Sequence, residues 1–210
     1  MKARRRLLWS VAVAALSLAG CGTPAMPIPP QLSTPNINVS PPTAPGTITP
    51  TGIEIPSIGV DAHEVIEVGL DSHHELGVPP LSKPKEVAWY KKSPIPGDVA
   101  TCSYAAGCVQ RTVLDGHING DGIEGVFARL AQLHKGDEID VNRSDGQTVV
   151  YKVSKVLIFE KSAFPTDEVY DGPAISTLAL ITCGPGQLHH GNYLQQTVVL
   201  ANFSDFKPTT

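Results

Sequence analysis

The chain of 210 residues has no apolar run long enough to cross a bilayer, no basic surplus, no internal repeat and only four cysteines. Its longest apolar stretch, Leu7 to Ala19, falls short of the ~20 residues a spanning helix needs. That stretch follows Lys2, Arg4, Arg5 and Arg6 and closes at Leu18-Ala19-Gly20-Cys21. Residues 1–20 therefore read as a cleaved export signal, outside the fold. Without them, 12 Lys and Arg stand against 20 Asp and Glu, a net charge of −8. A surface so short of cations excludes the phosphate contacts on which nucleic-acid binding depends.

Charge is absent altogether from Thr23 to Pro50, where nine of 28 residues are proline. Thr and Ser are frequent there and no apolar face recurs, so residues 21–50 are expected to form an extended tether. In polyproline II geometry such a segment reaches roughly 85 Å. Leu18-Ala19-Gly20-Cys21 resembles a lipobox, which implies lipidation of Cys21 and an extracytoplasmic protein held at the outer face of the plasma membrane. An ordinary signal with a chance cysteine, or an uncleaved anchor, is the plainer alternative.

The remaining cysteines divide by position. Cys102 and Cys108 bracket the small loop Ser103 to Gly107 and are placed to close a disulfide in an exported protein. Cys183 is then left over, and an unpaired thiol outside the cell calls for a reason. A buried free Cys183, or a bridge from it to one of the loop pair, is the alternative.

Strand signals dominate from Thr51 onward. Ile53, Ile55, Ile58 and Val60 read as short strand pieces, and Val87 to Tyr90 as another. Ile139 and Val141 alternate before the turn Ser144-Asp145-Gly146, and Val149, Tyr151 and Val153 alternate after it, which predicts a hairpin. Thr177 to Thr182 and Thr197 to Ala201 read as the last two strands. Val126, Phe127, Leu130 and Leu133 recur at helical spacing, which predicts one short amphipathic helix over residues 125–133. The expected fold class is mainly β: a closed or nearly closed barrel of about eight strands with few short helices, spanning residues 51–210.

Two strand ends carry the chemistry. Thr112-Val113-Leu114 ends at Asp115-Gly116-His117, and Thr177 to Thr182 ends at Cys183 before Gly-Pro-Gly. A thiol and an imidazole at the C-terminal lips of two strands are the parts of a cysteine nucleophile and its acid–base partner. The plainer reading is a capped strand-end histidine and a buried cysteine.

These residues, with others in order along the chain, resemble the sortases, the cysteine transpeptidases of Gram-positive cell walls. The resemblance runs from Gly52 to Phe203. It includes Ile55-Pro56-Ser57-Ile58-Gly59-Val60-Asp61-Ala62, Trp89-Tyr90, Pro96-Gly97, Gly125-Val126-Phe127 with Leu130, Lys135-Gly136-Asp137, Lys161 with Phe164-Pro165, Val169-Tyr170, and Leu180-Ile181-Thr182-Cys183-Gly184. The actinobacterial subgroup often called class E/F is the most similar. The resemblance implies a sortase-like barrel and attack by Cys183 on an LPXTG-like sorting signal of a secreted protein. It further implies proton transfer by His117, positioning of substrate by Thr182, and transfer of the acyl group to an amine of a cell-wall precursor or protein.

One family feature is missing. Sortases carry an arginine on the strand after the cysteine, and here no arginine follows Arg143. The position 13 residues past Cys183 is Gln196, with Gln195 beside it. A neutral amide thus stands where a planar cation with five donors is expected. The change motivates a second reading, a degenerate sortase-fold domain that binds wall or pilin peptides without turning them over. A third, an L,D-transpeptidase, is set aside because that family's Ser-His-Gly-Cys pattern is replaced by Leu-Ile-Thr-Cys-Gly. His189 and His190, with His117 and Cys183, make up four ligands that suit zinc. Adjacent histidines rarely both bind one ion, so neither metal nor cofactor is expected. His63, His73 and His74 read as surface residues.

Overall fold

The computed structural model describes residues 47–186 and 192–209. Eleven strands follow one another: β1 (Pro50–Ile55), β2 (Val60–Ala62), β3 (Val65–Val68), β4 (Val87–Tyr90), β5 (Thr112–Gly116), β6 (Asn119–Gly120), β7 (Ile123–Glu124), β8 (Glu138–Arg143), β9 (Gln147–Glu160), β10 (Thr177–Cys183) and β11 (Gln195–Pro208). Nine of them form one sheet in the order β2-β1-β8-β9-β11-β10-β5-β4-β3, and β6 and β7 pair as a small separate hairpin. The sheet curls into a nearly closed barrel. Its two 14-residue strands, β9 and β11, run side by side, and their register shifts at Leu200/Ala201 and again at Phe203/Asp205. Such irregularities bend and twist a ladder, which is how a long sheet curls toward closure.

Alternation along the strands sorts the apolar residues into two clusters. Ile53, Leu114, Ile139, Val141, Tyr151, Leu178, Leu180 and Val199 point into the barrel. Val113, Ala179, Ile181, Val198 and Leu200 point outward, where Tyr90, Val169 and the partly buried Leu76, Val109, Phe164 and Tyr170 cover them. β10 is therefore buried on both faces along all but its last residue. A strand covered on both sides has no polar face to present, which is why Leu178-Ala179-Leu180-Ile181 reads as a continuous apolar run.

The sheet has nine strands where about eight were expected. The hairpin around Ser144-Asp145-Gly146 is present as β8 and β9, with Val141 opposite Val149. The helix expected over residues 125–133 is absent: a series of turns leads into a 3-10 turn, Leu130–Gln132. The hydrogen bonds give the reason. The N–H groups of Gly125, Val126 and Phe127 donate to Ile118, Pro84 and His117 carbonyls at 2.8, 2.8 and 3.0 Å. Further on, Leu130 and Leu133 donate to carbonyls three residues back, at 3.1 and 3.2 Å. An α-helix needs donors that reach four residues back, and here those that stay within the segment reach only three. The apolar spacing serves burial all the same, since Val126, Phe127, Leu130 and Leu133 all lie inside.

Gly125 shows how tightly this segment is applied to the site. A Cβ built there would lie 2.1 Å from the carbonyl oxygen of His117, a backbone atom that cannot swing aside. Gly125→Ala should destabilise the fold by roughly 1–3 kcal/mol or more, measured by urea denaturation. Stability equal to wild type would contradict this packing.

Candidate active site

The pairing of β5 with β10 assembles the site. The two strands run parallel, with Leu178 opposite Thr112 and Ile181 opposite Asp115. Both C-terminal ends thus reach the same lip, with Cys183 the last residue of β10 and His117 the first after β5. On the other side of β10, the antiparallel partner β11 sets Gln196 directly opposite Cys183. Period-two alternation then decides the faces. Cys183 falls on the face of Ala179 and Ile181, and Gln196 on that of Val198, which is the outward one. Cys183 and Gln196 therefore share the outer face, at the lip where β5 also ends.

Thr182 and Gln195 are placed differently. Thr182 alternates onto the inner face with Leu178 and Leu180; it is 3% exposed, and its buried hydroxyl has no hydrogen-bond partner among the described residues. The Gln195 amide donates to Glu160 Oε1 at 2.8 Å, across the β9–β11 pair. Of the two glutamines, only Gln196 is the cross-strand neighbour of Cys183.

Local sequence explains why the chain turns where it does. Gly116 lies against Val126 and Phe127, where an added Cβ would come within 2.6 and 2.7 Å of their side chains. Gly184 has φ +75°, and a Cβ there would meet Ile118 Cδ1 at 2.5 Å. The residue after Cys183 therefore has to be glycine, on grounds of both conformation and space. Its backbone is fully engaged: the Gly184 N–H donates to Gln195 O at 2.8 Å, and its carbonyl accepts from Thr197 Oγ1 at 2.7 Å. The first amide after Cys183 is consequently not free to meet a developing oxyanion. Cys183 itself is a free, half-buried thiol. Nε2 of His117 donates to the carbonyl oxygen of Pro79 at 2.6 Å, and Asn119 Nδ2 donates to Tyr193 Oη at 2.6 Å, tying the two site loops together.

The outer face also carries a groove of about 500 Å³, whose walls include Leu76, Tyr90, Tyr104, Val109 and Tyr170. One wall is stapled by the Cys102–Cys108 disulfide, with Cα atoms 5.9 Å apart. Gln110 Nε2 donates to the carbonyls of both cysteines, at 2.6 and 3.1 Å. Tyr104 Oη donates to Asp167 Oδ1 at 2.8 Å, docking this loop on the short helix α1 (Thr166–Tyr170). His63 and His73 are strongly exposed, as expected of surface residues, and His189 and His190 lie outside the described residues.

Sequence reasoning passed over Asp115. It lies two residues before His117 on the same face and is only 9% exposed. Burial pushes its carboxyl up to about 8, against the opposing field of Lys161. Tyr170 is pushed up to about 12 by its own burial and then by the Asp115 charge. The available signal was a lone acid in an otherwise apolar strand, Thr-Val-Leu-Asp-Gly.

Between about pH 4 and about pH 8 the folded chain keeps a proton on Asp115 that the unfolded chain releases. Stability therefore falls as pH rises through that window and levels off above it. Asp115→Asn should remove this fall, raising the unfolding free energy over wild type at about pH 8 by an amount on the order of a few kcal/mol, and by much less at about pH 4. Parallel stability curves for the two proteins would contradict the assignment.

A family model of the sortase domain matches residues 53–204. Among solved structures, sortase C-1 of Actinomyces oris is 26% identical over 73% of this chain and 72% of its own, with a TM-score of 0.53. A lid mutant of sortase A from Corynebacterium diphtheriae is 20% identical, covering 75% and 70% at a TM-score of 0.55. Sortase C of Streptococcus pneumoniae is 19% identical, covering 74% and 68% at 0.54; these last two share the fold. No curated protein matches the chain. The match to the sortase domain takes in both strand ends of the site and nearly the whole barrel, and the chain belongs to the sortase family.

Proposed function

We propose that this sortase is a cell-envelope cysteine transpeptidase in which Cys183 is the nucleophile and His117 the general acid and base. What supports this reading is the parallel β5–β10 pairing, which ends both strands at one lip, with Cys183 closing β10 and His117 following β5. The thiolate is the reactive form of a cysteine, and an adjacent imidazole that accepts the thiol proton generates it. Attack on the carbonyl of a sorting signal expels an amine, which takes its proton from His117. A thioacyl enzyme results, and the amine of a cell-wall precursor or protein resolves it. An LPXTG-like signal suits the apolar, tyrosine-lined groove of the outer face. The class E/F resemblance belongs to this proposal, as does anchoring through a lipid on Cys21. Two acyl chains give stable membrane attachment where one does not, and the proline-rich tether would let the domain work away from the membrane.

One observation favours the alternative, a domain that binds such peptides without cleaving them. Gln196 occupies the cross-strand position beside Cys183, and the nearest backbone amide, that of Gly184, is already committed to Gln195. Oxyanion stabilisation then rests on a neutral amide.

Incubation with sorting peptides, followed by mass spectrometry, separates the two. Wild type should trap an acyl group on Cys183. Cys183→Ala should trap none, and His117→Ala nearly none; the double variant should be little worse than either, because the two groups act as a unit. Peptide cleavage persisting in Cys183→Ala would eliminate the transpeptidase reading.

Gln196 provides a second test. Loss of an oxyanion donor typically costs ~10²–10³ in rate, and a glutamine keeps a donor while lacking the charge. Gln196→Arg should therefore raise the acylation rate by up to ~10-fold, Gln196→Ala should lower it, and Gln195→Arg should not raise it. If wild type is active and Gln196→Arg brings no gain, the glutamine is not a defect. If wild type and Gln196→Arg are both inert on every peptide that binds, the binding-only reading prevails.

A further inference from the structure

The candidate general acid has a partner that belongs neither to the strand ends nor to the groove floor. His117 Nε2 lies 2.6 Å from the carbonyl oxygen of Pro79. A peptide oxygen can only accept, so Nε2 must carry the hydrogen. Nδ1 is then the ring nitrogen left to exchange a proton. Pro79 is itself buried, within the connection of residues 69–86 between β3 and β4.

Sequence fixes the direction of this oxygen unusually well. The Pro79 ring locks its own φ, and Pro80 confines the ψ of Pro79 to extended values. Both rotations that aim the carbonyl are thus restrained, and neither proline has an N–H to compete with the imidazole. The connection is also tied on both sides of the pair. Upstream, Gly77 N–H donates to Gly69 O at 3.0 Å, and the Asp71 carboxylate accepts from the N–H groups of His73 and Glu75 at 2.7 and 2.9 Å. Those two bonds hold the Asp71 carboxyl below its ordinary range. Downstream, the Leu81 carbonyl presses on Gly120, where a Cβ would come within 2.4 Å of it. Pro84 O accepts from Val126 N–H at 2.8 Å. Both downstream contacts reach the loop that follows His117, so ring and carbonyl are held in one frame.

We propose that the Pro79 carbonyl is the positioning group for His117, holding the neutral imidazole as its Nε2–H tautomer and assigning proton transfer to Nδ1. The catalytic consequence rests on the transpeptidase reading. In the acylation step Nδ1 takes the proton from the Cys183 thiol, the thiolate attacks the scissile carbonyl, and Nδ1–H returns the proton to the departing amine. In the second step Nδ1 takes a proton from the incoming amine, whose nitrogen displaces the sulfur, and the thiolate recovers that proton. Throughout, the Nε2–H bond to Pro79 stays closed, and it strengthens while the ring is cationic because its donor is then charged. This is the arrangement in which a base is oriented by a third group, with a backbone oxygen in place of a side chain.

The test uses the full chain labelled with 15N-histidine, with the His117 signals identified by their loss in His117→Gln. At a pH where the ring is neutral, wild type should show a protonated Nε2 and a bare Nδ1. A protonated Nδ1 in wild type would overturn the assignment without recourse to any variant. The Pro79→Gly/Pro80→Gly double variant, checked for an intact fold by circular dichroism, should show a mixture of tautomers. Its kcat on a sorting peptide should fall by up to ~10²-fold with little change in KM. Val78→Ala, at an exposed neighbour that leaves both prolines in place, should retain the wild-type tautomer. An unchanged tautomer in a folded double variant would also overturn the proposal. The tautomer is read without substrate. A chain that cleaves no peptide yet holds Nε2–H would lose the transpeptidase reading and keep the positioning assignment.

Discussion

Everything at the lip depends on one parallel pairing. Antiparallel neighbours carry their C-terminal ends to opposite edges of a sheet, whereas parallel ones bring them to the same edge. β5 and β10 are parallel, and for that reason the strand ends that carry His117 and Cys183 lie at one edge. Parallel neighbours cannot be joined by a tight turn. Residues 117–176 supply the crossover, and in doing so they build the β6–β7 hairpin, the 3-10 turn Leu130–Gln132, β8 and the long strand β9. The barrel is thus partly the means by which two distant strand ends are brought level.

A strand in that position needs cover on both sides. The inner face of β10 is packed by the barrel interior, and its outer face by side chains from three connections: Leu76 before β4, Val109 before β5, and Phe164, Val169 and Tyr170 before β10. The same side chains, or their neighbours, wall the groove on this face. Cover for the strand and a binding surface for peptide are therefore a single construction. The disulfide and the Tyr104–Asp167 hydrogen bond restrain one wall of it, and the Pro79–His117 hydrogen bond ties a second connection to the site.

Charge on this face is sparse. Gln196 stands beside Cys183 without a charge, and Asp115 is held protonated by burial well above the ordinary carboxylate range. Lys161 is the cation whose field reaches Asp115, and it offsets the burial only in part. On the proposed mechanism, neutral neighbours leave proton transfer between Cys183 and His117 as the principal charge event. In a low-dielectric setting such an event is sensitive to small changes of geometry, which gives the alignment of the imidazole its weight.

Much of this was legible along the chain. Strand-ending Cys183 and His117 stood out because a thiol and an imidazole closed two apolar runs. Gln196 could be located by counting from Cys183 at the spacing the family resemblance implies for its arginine. Strand periodicity likewise marked the β8–β9 hairpin. The helix over residues 125–133 was misjudged because spacing records which side chains are buried, not where backbone donors go, and the first donors there go to Ile118, Pro84 and His117. Asp115 was missed because its environment comes from Tyr170 and Lys161, some fifty residues away in sequence. By itself the sequence marked most of the strands and the candidate nucleophile and acid–base residue, because these are matters of residue type and local period, and the family resemblance marked the glutamine where an arginine is expected. Only the tertiary structure decided that β5 and β10 are parallel, that Thr182 faces inward while Gln196 faces Cys183, and that Pro79 holds His117. Register, face and backbone contact arise between distant segments, and no local pattern encodes them.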